Sequence, residues 1–307
     1  MTPKDSSDQQ LKISRIDNIE KAKKVWQELS PNEIIYDLWG VRYCFYKYFK
    51  HPLFFYVGRI GEENIGLLPL QFNAEKGHID FIGGGYMEDN RIFIKPRYEK
   101  YIPKFYKAIE QEAGLDDIIG EDEFTKNLDI LEYKYITDLS GLKNTNDYFF
   151  REFSPKSCAK MKKLLCRIER LYQPKILENN FEDIDKLFEL NIKSFGDDSV
   201  FSTPYRKDIF RDLLKLDLDF QVLTITINGR KEAVSLALKY KNIYTYINSG
   251  ANKKDFPSLG TYLTAKNFEK AISLGAKCFD AGAEDLGWKE KWHLKKIPQR
   301  VFNKKFN

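Results

Sequence analysis

Residues 243–294 read IYTYINSGANKKDFPSLGTYLTAKNFEKAISLGAKCFDAGAEDLGWKEKWHL. The run 243–247 is wholly β-branched or aromatic and predicts a strand, ended by Asn248, Ser249 and Gly250. A polar turn over 252–255 leads into Pro257-Ser258-Leu259-Gly260. Leu259, Leu263, Phe268 and Ile272 then fall on one face at helical spacing, and Gly275 supplies a C-terminal stop. A short strand over 276–281 ends at Asp280 and Gly282. An amphipathic stretch follows with Trp288, Lys289, Lys291, Trp292 and His293.

Strand, loop, helix and parallel strand make a βαβ unit. The free N–H groups and positive dipole end of the helix N-terminus favour an anion there. Lys253 and Lys254 lie just upstream and agree in sign. The plainer reading is that Ser258 caps the helix and Pro257 starts it.

The second half leads into this stretch through strands over 220–228, 233–240 and 243–248, with a Gly229-Arg230 turn. The first half shows the same order. Strands over 54–60, 65–73 and 78–83 are separated by glycine turns, a helix runs over 97–113 to Gly114, and a strand covers 116–120. A strand pair is expected over 128–138. Ahead of these lie a loose tail over 1–10, a strand over 11–16, a helix capped by Asp17 or Asn18, and an aromatic helix over 34–49. Glu284-Asp285 follows the last strand of the second copy as Glu121-Asp122-Glu123 follows that of the first. The two orders repeat at an offset of roughly 160–170 residues, an internal repeat. Antiparallel strands followed by a crossover predict an α/β class fold with an α+β mixed sheet and helices on both faces.

The copies differ at their loops. The first has Gly83-Gly84-Gly85 followed by Glu88 and Asp89, which would repel a pyrophosphate, so an anionic donor belongs in the second copy. Ser154 and Pro155 open a basic helix carrying Lys156, Lys160, Lys162, Lys163, Arg167 and Arg170, with an apolar stripe of Met161, Leu164, Leu165, Ile168 and Leu171. Its cations form either a solvated face or, for Lys160 and Lys163, contacts to an anionic substrate in a groove between the copies.

The chain has 307 residues, 42% of them hydrophobic and 15% aromatic, enough for two domains with cores. Fifty basic and 45 acidic residues leave a net charge of +5, which permits an anionic ligand without demanding nucleic acid. Four dispersed cysteines, a polar N-terminus and the lack of an apolar run of ~20 residues point to a cytoplasmic protein with no signal peptide, no membrane span and no metal site. No hydrolase, zinc-protease or P-loop motif occurs.

Three features resemble the GNAT-type acyltransferases associated with cellulose and other exopolysaccharide biosynthesis, and their relatives the Fem-type peptidyl transferases. They are the Pro257–Gly260 loop opening a long helix, the Phe279-Asp280-x-Gly282 strand end, and Trp288-Lys289-x-x-Trp292, with the basic helix in support. The resemblance implies tandem GNAT-like (acyl-CoA N-acyltransferase) domains. They would be an N-terminal one over 1–150 without a donor site, a connecting helix over 151–172, and a C-terminal one over 173–307 holding acetyl-CoA or another acyl-CoA. Acyl transfer to an amine or hydroxyl then needs proximity, oxyanion donors and acid–base groups. By position, Ser249 and Gly250 would polarise the thioester, and Ser258, Leu259, Gly260 and Thr261 would cradle the pyrophosphate. Asp280, Glu284 or His293 would act as base, and Tyr246 or Tyr262 as acid. Trp288, Lys289 and Trp292 would face a small-molecule or sugar acceptor, or else plug the core. Two other readings stay open: aminoacyl transfer from charged tRNA, and a non-catalytic scaffold whose loop keeps one glycine of a richer pattern.

Overall fold

The structure is a computed structural model that describes residues 10–284 and 287–305. The tail residues 1–9 and Asp285 lie outside the described residues. The chain divides into two compact units, 1–133 with 298–307, and 134–297.

The first unit contains β1 (Lys12–Ile16), α1 (Ile19–Leu29), α2 (Trp39–Phe49), β2 (Leu53–Ile60), β3 (Glu63–Asn73), β4 (His78–Phe81), β5 (Phe93–Ile94), α3 (Ile102–Lys107), β6 (Ala113–Ile118) and α4 (Glu123–Lys126). It also holds the start of β7 (Asp129–Asp138). The second unit takes the rest of β7. It adds α5 (Thr145–Glu152), α6 (Pro155–Tyr172), β8 (Lys175–Glu178), α7 (Ile184–Phe195), α8 (Pro204–Leu213), β9 (Asp219–Ile227), β10 (Arg230–Tyr240), β11 (Ile243–Ala251), α9 (Leu259–Ser273), β12 (Cys278–Asp280) and the start of β13 (Lys295–Lys304). The expected repeat is present. Elements starting at 12, 19, 39, 53, 63, 78 and 113 recur at 175, 184, 204, 219, 230, 243 and 278, about 165 residues on.

In the first unit the strands run β1-β2-β3-β4-β6-β13, with β5 beside β3. In the second they run β7-β12-β11-β10-β9-β8. In each unit the strand set is mixed: β4/β6 and β11/β12 are parallel, while β1/β2, β2/β3, β3/β4, β10/β11, β9/β10 and β8/β9 are antiparallel. The next strand beside each parallel pair belongs, by sequence order, to the other repeat: β13 pairs with β6, and β7 with β12. The compact units therefore divide inside β7 and β13. The sequence reading placed its boundaries at 150 and 172, where the repeat changes, because pattern identifies a strand but not its hydrogen-bonded neighbour.

Apolar residues are buried on each side of these sheets. In the first unit Trp26, Phe55 and Phe93 form one cluster, and Phe105, Tyr106 and Leu115 another. In the second, Tyr148, Phe268, Phe279 and Trp292 form one cluster, and Ile168, Leu259 and Leu263 another. Several local signals act as read. Asn18 accepts the Lys21 N–H and Ser154 the Ser157 N–H, capping α1 and α6. After α9, Gly275 adopts φ +69°, its N–H bonds the Ile272 carbonyl, and Ala276 N–H bonds that of Ala271, a Schellman ending.

Other expectations are corrected. The helix over 34–49 is broken into a 3₁₀ turn, Ile35–Asp37, and α2. The Asp37 carbonyl is taken by the Trp26 indole and the Ser30 hydroxyl, and its carboxylate by the N–H groups of Glu33 and Ile34. The helix over 97–113 is a 3₁₀ segment, Pro96–Tyr101, then α3, since Pro103 has no N–H to continue a ladder. Gly114 lies within β6, and 128–138 forms one strand. Leu171, placed on the packed stripe of α6, is exposed.

Candidate functional site

β11 runs four residues beyond its expected end, to Ala251. It pairs with β12 only through Ile243↔Cys278, Tyr244↔Phe279 and Thr245↔Asp280. Beyond Thr245, β12 has ended, and β11 continues with the edge from Tyr246 to Ala251 facing a notch. Against β10, Leu236 pairs with Asn248 and Ala237 with Tyr246, so Ile247 is an extra residue in a β-bulge. A bulge bends and twists its strand, and here it falls where the two strands part. The notch thus presents backbone groups that the sheet leaves unpaired on that side.

Polar side chains hold this strand end in place. Asn191 of α7 donates to Asn248 Oδ1 at 2.9 Å and to the Ser249 carbonyl at 3.0 Å, and the Ser199 hydroxyl donates to Asn191 Oδ1 at 2.6 Å. Asn267 of α9 donates to Ser235 Oγ and accepts from the Tyr244 hydroxyl. The Tyr246 hydroxyl bonds Ser249 and Thr264, and burial pushes it up to about 12, so it keeps its proton at neutral pH. Sequence reading missed Asn191, Ser199 and Asn267, because single polar residues in amphipathic helices carry no motif.

Gly250 sits where α7 crosses the strand. A Cβ there would lie 2.7 Å from Leu190 Cβ and 2.8 Å from Asn191 N. Gly250→Ala is expected to destabilise the protein by about 1–3 kcal/mol, read as a lowered urea midpoint.

The notch leads to the N-terminus of α9. Ser258 adopts φ +69° and its side chain makes no capping bond, against the capping expectation. The first intrahelical bond runs from Tyr262 N–H to the Ser258 carbonyl, so the Gly260 and Thr261 N–H groups precede the ladder. Lys253 Cε would stand 3.6 Å from a Cβ at Gly260. A cation beside the positive end of a 15-residue helix favours an anion between them. The loop is held by Asn252, whose amide donates to Glu232 Oε2 and Asp255 Oδ2 and whose carbonyl accepts the Phe256 N–H. Leu259 contributes backbone only, its side chain being fully buried.

The other predicted residues are placed differently. Asp280 is buried, with Oδ2 2.8 Å from Lys134 Nζ and Oδ1 accepting the Gly282 N–H at 2.9 Å, so both oxygens have structural partners. Tyr262 packs against α6, and its hydroxyl bonds Glu169 at 3.2 Å. Burial, then the Glu169 charge, raise it above the usual tyrosine range. His293 is exposed, ends a 3₁₀ turn and stacks edge-on against Phe153. Glu284 is exposed with φ +55°. Trp292 is a core plug, 4.9 Å from the Phe268 ring. Lys289 is buried, its ammonium donating to the carbonyls of Gly282 and Ala283. Trp288 is half-buried beside Tyr246. Lys160 and Lys163 are exposed on α6. The structure therefore brings Ser249, Gly250, Gly260, Thr261 and Tyr246 to one strand-and-helix end, pairs Asp280 with Lys134, and sets His293 against Phe153.

The charge at this end of the second unit suits the phosphates of an acyl-CoA. The N-terminus of α9 has no side-chain cap, Lys253 stands beside it, and a Cβ on Gly260 would meet only ordinary contacts. Among the described residues no group of three or more His, Cys, Asp or Glu could hold a metal ion, and no helix is long and apolar enough to cross a membrane.

The sequence model of the acetyltransferase (GNAT) domain family matches residues 156–290. No curated protein matches the sequence. Solved structures with a similar fold include FemX, at 9% identity and a TM-score of 0.59, covering 94% of this chain and 96% of that one. L-PGS from Bacillus licheniformis is similar at 13% identity and 0.55, covering 85% and 90%. A tandem GNAT protein from the clavulanic acid biosynthesis pathway is similar at 11% identity and 0.52, covering 96% and 98%. At these identities the likeness is one of fold: a mixed α/β architecture shared with GNAT proteins, a tandem GNAT among them.

Proposed function

We propose that the chain is an acyltransferase that takes an acetyl or other acyl group from acyl-CoA to an amine or hydroxyl of a small acceptor, such as a sugar, nucleotide sugar or amino compound. The observation that carries this reading is the parted β11/β12 pair, bulged at Ile247, leading to the uncapped N-terminus of α9 beside Lys253. Acyl-CoA would supply the activated acyl carbon, held by Gly260, Thr261 and Lys253 at its phosphates. Backbone groups of β11 past Tyr246 would orient the carbonyl, and the Asn191 and Asn267 bonds would keep them in place. In this reading the first unit, with Asp80, Asp116 and Asp117 at its corresponding strand ends, holds no acyl-CoA. Four free thiols suit a reducing, cytoplasmic setting.

Calorimetric titration with acetyl-CoA tests the reading. The parent chain is expected to bind at micromolar affinity. Gly260→Glu, which puts a carboxylate among the phosphates, is expected to bind about 100-fold more weakly, or ~2.8 kcal/mol, with its melting temperature kept. No binding by the parent sinks the acyl-CoA reading. A second reading, aminoacyl transfer from charged tRNA, is favoured by the exposed cations Lys160, Lys163, Arg167 and Arg170 on α6. Salt-dependent binding of tRNA in place of acetyl-CoA would select it.

A further inference from the structure

The first unit has a parted parallel pair of its own. β4 and β6 share a single register point, Ile79↔Ala113, and in element order they are the counterparts of β11 and β12. Beyond that point one strand runs into Gly83–Gly85 and the other reaches Asp117, which is in the left-handed region at φ +56°. Between them lies a cavity of about 20 Å³, room for one water-sized group, walled by Asp80, Gly84, Gly85, Asn90, Asp116 and Asp117, with Lys76 also contributing.

The cavity is built around buried carboxyls. Asp80 is 5% exposed and Asp117 9%, and on each the Oδ1 atom has no hydrogen-bond partner in the protein. Asp80 Oδ2 accepts from Asn73 at 2.9 Å. The wall is stiff. Asn90 donates to the carbonyls of Met87 and Asp116, and its Oδ1 accepts from the fully buried Arg42, which also holds the Ile82 and Asp89 carbonyls. The acids expected to oppose a phosphate here, Glu88 and Asp89, are not on this wall. Asp89 instead accepts from Gln299.

Buried acceptors without donors call for a ligand that donates. The space admits one small group, the charge calls for a cation, and among the described residues no set of ligands suits a metal. A guanidinium is too large for it. We infer that this cavity of the first unit binds the primary ammonium group of a small molecule, with Asp80 and Asp117 as its acceptors. Burial raises Asp80, against Asn73, Gln71, Lys76 and His51, which lower it. Burial, then Glu132, Asp116 and Glu88, push Asp117 up to about 8. Ammonium binding at neutral pH therefore expels a proton from Asp117. The inference does not depend on an acyl donor in the second unit.

The test is calorimetry of the full chain with n-butylammonium at pH 7, in two buffers of different ionisation enthalpy. The expected result is saturable binding with proton release, about tenfold weaker in Asp80→Asn and in Asp117→Asn. Tetramethylammonium, which has no N–H, is expected not to bind. Melting temperatures of both variants at or above the parent's separate lost binding from lost fold. The assignment is overturned if n-butylammonium does not bind, if both variants bind it as the parent does, or if magnesium binds with the same dependence on Asp80 and Asp117. Acetyl-CoA affinity, measured separately, is expected to be unchanged in both variants.

Discussion

Lys134→Ala is expected to cost about 3–5 kcal/mol and to lower the melting temperature by roughly 10 °C, among the larger losses available to a single substitution in the second unit. Lys134 and Asp280 are both buried and meet at 2.8 Å at the β7/β12 pair. Their 146-residue separation makes this a tertiary contact. Removing the lysine leaves a buried carboxylate with one oxygen on the Gly282 N–H and without its ion-pair partner. Lys134→Met with Asp280→Leu is expected to recover much of the loss, because a matched apolar pair needs no desolvation, while the Gly282 N–H remains short of a partner. Asp280→Asn separates structure from chemistry. If Asp280 positions the strand end, the melting temperature falls while kcat and its pH profile stay unchanged in an acyl-transfer assay. A kcat loss with a shifted profile would make it the base.

Asp117→Asn is expected to stabilise the protein, by an amount that grows with pH. Burial and the neighbouring Glu132 raise the Asp117 carboxyl from 3.8 to about 8. The native state thus holds a proton that the unfolded chain releases near pH 4. Between pH 4 and pH 8 the unfolded state binds fewer protons, so this group lowers stability as pH rises, and above pH 8 its cost is constant. At ~1.4 kcal/mol per unit the variant gains on the order of a few kcal/mol at pH 8 and little at pH 4. Asparagine also tolerates the left-handed φ of +56° and can still donate to Glu132. Urea melts of both proteins from pH 4 to pH 9 measure the difference. A gain that is flat with pH would leave only the backbone effect, and a loss would show that Asp117 is held in the ionised form.

The elements that depend on a few neighbouring residues were readable in order of chain. Asn18, Ser154 and Gly275 act within one helical turn, and the glycine turns between β-branched runs act within one hairpin. Their recurrence about 165 residues apart exposed the tandem organisation. The Pro257–Gly260 loop pointed to the correct helix N-terminus, though Ser258 turns its side chain away from the cap. Reading failed wherever an atom's partner lies far along the chain. Asp280 looks like a free strand-end acid until Lys134 reaches it. Gly250 gives no sign in sequence of the α7 backbone that lies against it. Asp80 and Asp117 carry no motif, and only the approach of β4 and β6 buries them at one cavity. The same holds for β7 and β13, whose composition says strand but whose neighbours come from the other repeat. Local dihedral preference and periodicity are written into short stretches of sequence and determined the elements and their order. Hydrogen-bond partners, desolvation and close approach arise only between segments, so the tertiary structure alone decided which groups are paired, which are left for a ligand, and where each unit ends.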